Sequence, residues 1–88
     1  MSADKSRAFQ CRELMKRAKT CSTAERLMEL NQDYHSLLLG FPDGDVKDNL
    51  RSKDFEINNA LSKKGSKSAI AAAEIIYKNL EEMLKYYE

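Results

Sequence analysis

The sequence has no tryptophan, one proline, three glycines, two cysteines and one histidine in its 88 residues. So few helix breakers, beside frequent Ala, Leu, Lys and Glu, favour helix along the whole chain. No apolar run approaches the ~20 residues that cross a bilayer. The opening MSADKSRAFQ lacks the apolar centre of a signal peptide. The expectation is a cytoplasmic chain with no membrane partner. Cys11 and Cys21, if both lie on one helix, stand about 15 Å apart along its axis. A disulfide needs Cα atoms within roughly 7 Å, so both are expected as reduced thiols packed like small apolar residues. Two cysteines and one histidine are too few for a structural zinc site.

Chemistry is equally scarce. There is no Gly-rich phosphate loop and no His-Glu-x-x-His motif. The one histidine, His35, falls inside an apolar helical arc, so no Ser or Cys has an obvious base. Asp43, Asp45 and Asp48 gather around Gly44, and Glu56 closes a twelve-residue window that starts at Asp45. A calcium loop needs Gly at the sixth position of such a window, where this chain has Leu50. The acids are expected to form a turn and to charge a helix N-terminus. No catalytic residue, metal ligand or cofactor is therefore expected, and the chain is not expected to be an enzyme.

What is present is helical periodicity, clearest from Ser66 to Glu88. There Ala69, Ile70, Ala73, Ile76, Tyr77, Leu80, Met83, Leu84 and Tyr87 recur at steps of three and four, which puts them on one face. Glu74, Lys78, Glu81, Glu82 and Lys85 share a narrow polar wedge. Ile75 and Tyr86 flank the stripe on the side of Ala72. The apolar arc is wider than a helix on the outside of a small bundle needs, so this helix is either central in its own fold or shared with a partner.

The rest of the chain divides readily. Residues 4–20 predict a first helix with Ala8, Cys11, Leu14, Met15, Ala18 and Cys21 on its apolar face. Ser22 and Glu25 have the spacing of a capping box, followed by a helix over 23–39. Ala24, Leu27, Met28, Leu30, Tyr34, Leu37, Leu38 and Leu39 cover more than half of it. Gly40 is the expected left-handed stop, with Pro42 just beyond. FPDGD at 41–45 reads as a turn, and a third helix is expected over 45–61. Val46, Leu50, Ile57 and Leu61 share its face, while Ser52, Lys53 and Asp54 interrupt it. SKKGSKS at 62–68 separates it from the last helix, 66–87. The fold class expected is all-α, a small antiparallel bundle of three to four helices in one domain over 1–88. Its core is expected to draw on Leu14, Met15, Leu27, Leu38, Leu50, Ile57, Leu61, Ala73, Leu80 and Leu84.

Two candidate surfaces follow. Residues 1–20 hold six basic and two acidic side chains, so about +4 against a whole-chain net charge of +1. Lys5, Phe9, Arg12, Lys16 and Lys19 line up along the first helix as a basic docking strip for an acidic protein or for phosphate. Ala72, Ile75, Met83 and Tyr86, on the flank of the last helix, form a candidate partner interface.

Two stretches carry resemblances. His35 with Ser36, Leu37 and Gly40 resembles the helix of histidine phosphotransfer proteins. That family sets a Lys three residues after the His and a Gly next to it. Leu38 and Leu39 stand there in this chain, so the activity is not carried over, and His35 is expected to be structural and buried beside them. Ser68–Leu80, SAIAAAEIIYKNL, resembles the last helix of the small chaperones that hold needle subunits in type III secretion. The likeness spans about one seventh of the chain and consists of Ala and Ile at helical spacing, so no function is transferred from it.

A chain this short buries only roughly 60–65% of its unfolded surface and gains from a partner or a second copy. The expected function is a non-catalytic protein-protein interaction module, an adaptor, small chaperone or regulator, working through apolar helix faces. The alternative is a small nucleic-acid-binding regulator that uses the basic first helix with Lys63, Lys64 and Lys67.

Overall fold

Asp4 starts the first helix. Its carboxylate accepts the Arg7 backbone N–H at 3.0 Å, an N-cap, and α1 follows over Lys5–Thr20. The computed structural model describes residues 4–88. Thr23 caps the next helix, its hydroxyl accepting the Arg26 N–H at 3.2 Å, and α2 runs Ala24–Leu39. The cap is one residue later than the expected Ser22–Glu25 box. Ser22 is tied elsewhere, its carbonyl accepting the Ser66 hydroxyl at 3.0 Å.

The expected third helix is two. α3 covers Asp45–Arg51 and α4 covers Asp54–Lys63, broken where Ser52, Lys53 and Asp54 interrupt the apolar pattern. The Ser52 hydroxyl donates to the Asn49 carbonyl at 2.6 Å, the local side-chain bond that draws Ser out of a helix interior. α5, the longest helix, spans Ser66–Tyr87.

Gly40 does not stop α2 in the left-handed form. Its φ is −85° and its ψ −3°, and its N–H reaches back to Leu37 and Leu38 carbonyls. What it provides is room. The Arg7 guanidinium donates to the Gly40 carbonyl at 2.6 Å, and a Cβ there would lie 3.0 Å from an Arg7 nitrogen. The left-handed residue is Lys64, at φ 57°, which ends α4 with its N–H on the Ala60 carbonyl. An L-side chain is strained in that region by about 1–2 kcal/mol. Lys64→Gly is expected to raise stability by up to about 1 kcal/mol, the strain relieved exceeding the added chain entropy. A rise in the urea midpoint at constant slope checks this; a fall would show that Lys64 contributes packing that its backbone strain conceals.

Side-chain contacts fix the helix directions. Arg17 binds Asp33 at 2.6 Å and Arg7 binds Gly40, so α1 and α2 are antiparallel. Arg12 meets Glu88 at 3.4 Å and Lys19 covers the Tyr77 ring at 5.4 Å, so α1 and α5 are antiparallel too. α2 and α5 run parallel, joined by Ser22–Ser66 at one end and Tyr34–Asn79 further along. α5 packs on α1, α2 and α4. It is thus the central helix of its own fold, and its wide apolar arc is used largely within the chain. The result is the expected all-α bundle, drawn out to 42 × 23 × 16 Å.

One continuous core joins the helices through Leu14, Leu27, Leu30, Tyr34, Leu38, Leu50, Ile57, Ile76, Leu80 and Met83. Met15, Leu61 and Leu84, expected in its centre, are only half-buried against it. Two polar side chains are buried with it. The Lys47 ammonium donates to the Leu39 carbonyl at 3.2 Å and to Asp43 at 3.1 Å, which closes the turn between α2 and α3. The Asn79 amide donates to the Tyr34 hydroxyl at 2.8 Å and to the Leu50 carbonyl at 3.1 Å, joining α5, α2 and α3.

Candidate interaction face

Each half of the expected α5 flank meets a different fate. Ala72 and Met83 are buried in the core and offer a partner nothing. Ile75 is half-buried against the same core. Tyr86 keeps 42% exposure, but its ring packs on Phe41 with centroids 5.0 Å apart, beside Tyr87. The candidate interface of Ala72, Ile75, Met83 and Tyr86 is therefore corrected. Asn79, on this flank, points at Tyr34 and Leu50, so the flank faces the interior of the bundle.

The open side of α5 is the opposite one. Ile70 is 50% exposed, and Tyr77 and Leu84 are half-buried. The three repeat every seven residues, which keeps them in one row along the helix. The row lies beside α1: Ile70 and Tyr77 line an open groove of about 420 Å³ with Ala18, Lys19, Cys21 and Glu74. One turn on from each apolar residue stands an acid, giving a second row of Glu74, Glu81 and Glu88, all exposed.

Across the groove stands Lys19, the last residue of the basic strip. Lys5, Phe9, Arg12, Lys16 and Lys19 are all exposed, as four cations without buried acids must be. Phe9 is 58% exposed and borders a second open groove, about 480 Å³, between α1 and α2. The strip is partly satisfied within the chain. Arg12 pairs with Glu88, Lys16 with Glu13 at 3.1 Å, and Lys19 lies on the Tyr77 ring. These exposed pairs are worth little each and yield readily to a partner.

His35 is another correction. It is exposed on α2 rather than buried, because the core stripe of that helix is Leu27, Leu30, Tyr34, Leu37 and Leu38. Leu39, expected in the stripe, is exposed as well. His35 borders a small polar dip of about 210 Å³ with Asn31, Asp54 and Asn58. Both thiols are free and buried. Burial pushes Cys11 up to about 11 against the opposing pull of Arg12, and burial likewise raises Cys21. Neither is a thiolate near neutral pH. Among the described residues no three His, Cys, Asp or Glu side chains gather where they could hold a metal ion. Among them, too, no helix is long and apolar enough to cross a membrane.

The face between α1 and α5 thus brings Arg12 and Lys19 of the strip against Glu88, Tyr77 and Ile70 of α5, while Phe9 borders the α1/α2 groove. The seven-residue spacing of Ile70, Tyr77 and Leu84 is the one sequence signal that could have set them apart from the rest of the stripe. Comparison with known proteins finds no matching family model, no matching curated protein and no matching solved structure.

Proposed function

We propose that the chain is a non-catalytic protein-binding module, of the adaptor, small-chaperone or regulator kind, and that it binds through the α1/α5 face. The observation that carries this reading is the row Ile70, Tyr77 and Leu84. It leaves apolar side chains partly in water along a groove, between cations of one helix and acids of the other. An apolar centre with a charged rim is the anatomy of a protein interface. Two free, buried thiols suit work in a reducing compartment, and we place the chain in the cytoplasm. Nucleic acid is the weaker reading. A polyanion laid along α1 would be drawn to Lys5, Arg12, Lys16 and Lys19 but would lie close to Glu74, Glu81 and Glu88.

A photo-cross-linking residue in place of Ile70 tests the reading inside cells. A defined protein adduct is expected there, and none from the same residue in place of Phe55, which is 79% exposed on α4. Equal adducts at both positions, or none at 70, would remove the face from consideration. Binding to random duplex that collapses as salt rises would instead favour the nucleic-acid alternative.

A further inference from the structure

We propose that the partner of this face is a second copy of the chain, docked about a two-fold axis that runs along the α1/α5 groove, parallel to the helices. The proposal rests on the protein-binding reading above and names the partner. It starts from the bipolar character of the face. Lys5, Arg12 and Lys19 repeat every seven residues on α1, with Phe9 and Lys16 repeating at the same interval between them. Glu74, Glu81 and Glu88 repeat every seven on the neighbouring stretch of α5. A purely acidic protein gains at the first row and is repelled at the second. A second copy of the chain carries both rows, and a half-turn sets α1 of each copy over α5 of the other.

The heights agree. Within one chain the Asp4 backbone N–H donates to the Tyr87 carbonyl at 3.2 Å, and Lys19 shares a groove with Ile70, Glu74 and Tyr77, which brings Arg12 to about the height of Glu81 and Lys19 to about that of Glu74. Rotation about an axis parallel to the helices preserves height. Arg12 of one copy then faces Glu81 of the other, and the pair occurs twice, as a two-fold interface requires. Both side chains are open to solvent. The Arg12 side chain is 47% exposed and pairs within the chain only with Glu88, at 3.4 Å, and Glu81, exposed, makes no ion pair among the described residues. Ile70, Tyr77 and Leu84 border the axis, so each row lies against its counterpart and closes the groove to water.

The size of the face sets the strength. α1 is about 24 Å long at 1.5 Å per residue, and two packed helices span roughly 20 Å, so each copy covers on the order of 500 Å². That is the lower bound of specific interfaces. The dimer is therefore weak, with dissociation in the micromolar range, and is loosened by salt through its charge pairs.

Sedimentation of the whole chain from micromolar to millimolar concentration, at low and at high salt, tests this. A monomer–dimer equilibrium that shifts toward monomer in high salt is expected. Arg12→Glu and Glu81→Arg should each weaken it about tenfold or more, and the two together should restore it to near the parent value, since the charges are exchanged rather than lost. Both positions are exposed, and circular dichroism verifies that each variant is folded. Should Arg12→Glu unfold through repulsion from Glu88, Arg12→Ala with Glu81→Ala replaces the pair, each expected to weaken the dimer severalfold. A chain that stays monomeric throughout overturns the second copy as partner. A dimer indifferent to either reversal lies on another face and overturns it too. If the chain is monomeric and position 70 still cross-links to a different protein in cells, the binding face stands and only the partner named here falls.

Discussion

Leu80→Ala is expected to destabilise the chain by about 2–5 kcal/mol and to leave much of it unfolded at ambient temperature. Leu80 has no exposed surface and lies on the helix that packs against α1, α2 and α4. Truncation there opens a cavity which three neighbouring helices cannot all collapse into. A domain of this length has roughly 0.05–0.15 kcal/mol of stability per residue, so the loss takes away a large share of the total. Leu84→Ala, one turn further on, is expected to cost about 1 kcal/mol. Leu84 is only half-buried, packed against the edge of the core. Urea unfolding of the two variants measures the difference. Equal costs would mean that α5 is rotated from the orientation described, with Leu84 inward, and the open row along the groove would disappear with it.

That pair of leucines shows how far the sequence could be read. Steps of three and four predicted Leu80 and Leu84 on one stripe, and the stripe exists. The period alone does not say where on a wide arc the centre of burial lies. That is decided by which helices pack against α5. Here Ala72, Ile76, Asn79 and Met83 face inward, so the core is turned toward the flank that seemed open and away from Ile70, Tyr77 and Leu84. The same limit explains His35. Apolar residues cover more than half of α2, and only packing selects Leu38 over Leu39 as the buried one.

The basic strip was legible because charge is a stronger constraint than apolarity. Four cations could not be placed inside, so Lys5, Arg12, Lys16 and Lys19 had to face water. The break around Gly65 was legible, whereas Ser52–Asp54 was read only as an interruption of one helix over 45–61, which the structure divides into α3 and α4. Which residue adopts the special conformation was not. Gly40 lets the Arg7 guanidinium lie close against the backbone rather than turning left-handed, and Lys64 makes the left-handed turn although Gly65 is next to it. Such roles depend on residues more than thirty positions away or on the exit path of the next helix, and neither is local information. Lys47 and Asn79 were missed for a related reason. A polar residue in a helix is assigned to the surface by default, and burial becomes affordable only once specific carbonyls and a phenol are in reach.

The Asn79–Tyr34 bond carries the other large expected effect. Asn79→Leu is expected to cost about 1–3 kcal/mol, because it strips the buried Tyr34 hydroxyl of its 2.8 Å donor in a place water does not reach. The Leu50 carbonyl suffers less, since it still accepts the Lys53 N–H at 3.3 Å. Tyr34→Phe is expected to cost a similar amount, by leaving the Asn79 amide with one acceptor fewer. The two changes together should cost less than their sum, because with both polar partners gone no unsatisfied group remains between them. A urea double-mutant cycle measures the coupling, and strict additivity would show that the two side chains do not act as a pair. The pH dependence gives a second check. Burial pushes the Tyr34 phenol up to about 12, with the Asn79 hydrogen bond pulling the other way. The unfolded phenol ionises near 10. The folded state therefore holds the proton more tightly, and this part of the stability is fully present below pH 10. It declines as pH climbs from 10 toward 12, where the unfolded chain releases a proton that the folded chain retains. Tyr34→Phe should flatten that decline, and a slope unchanged in the variant would assign the alkaline loss to other groups.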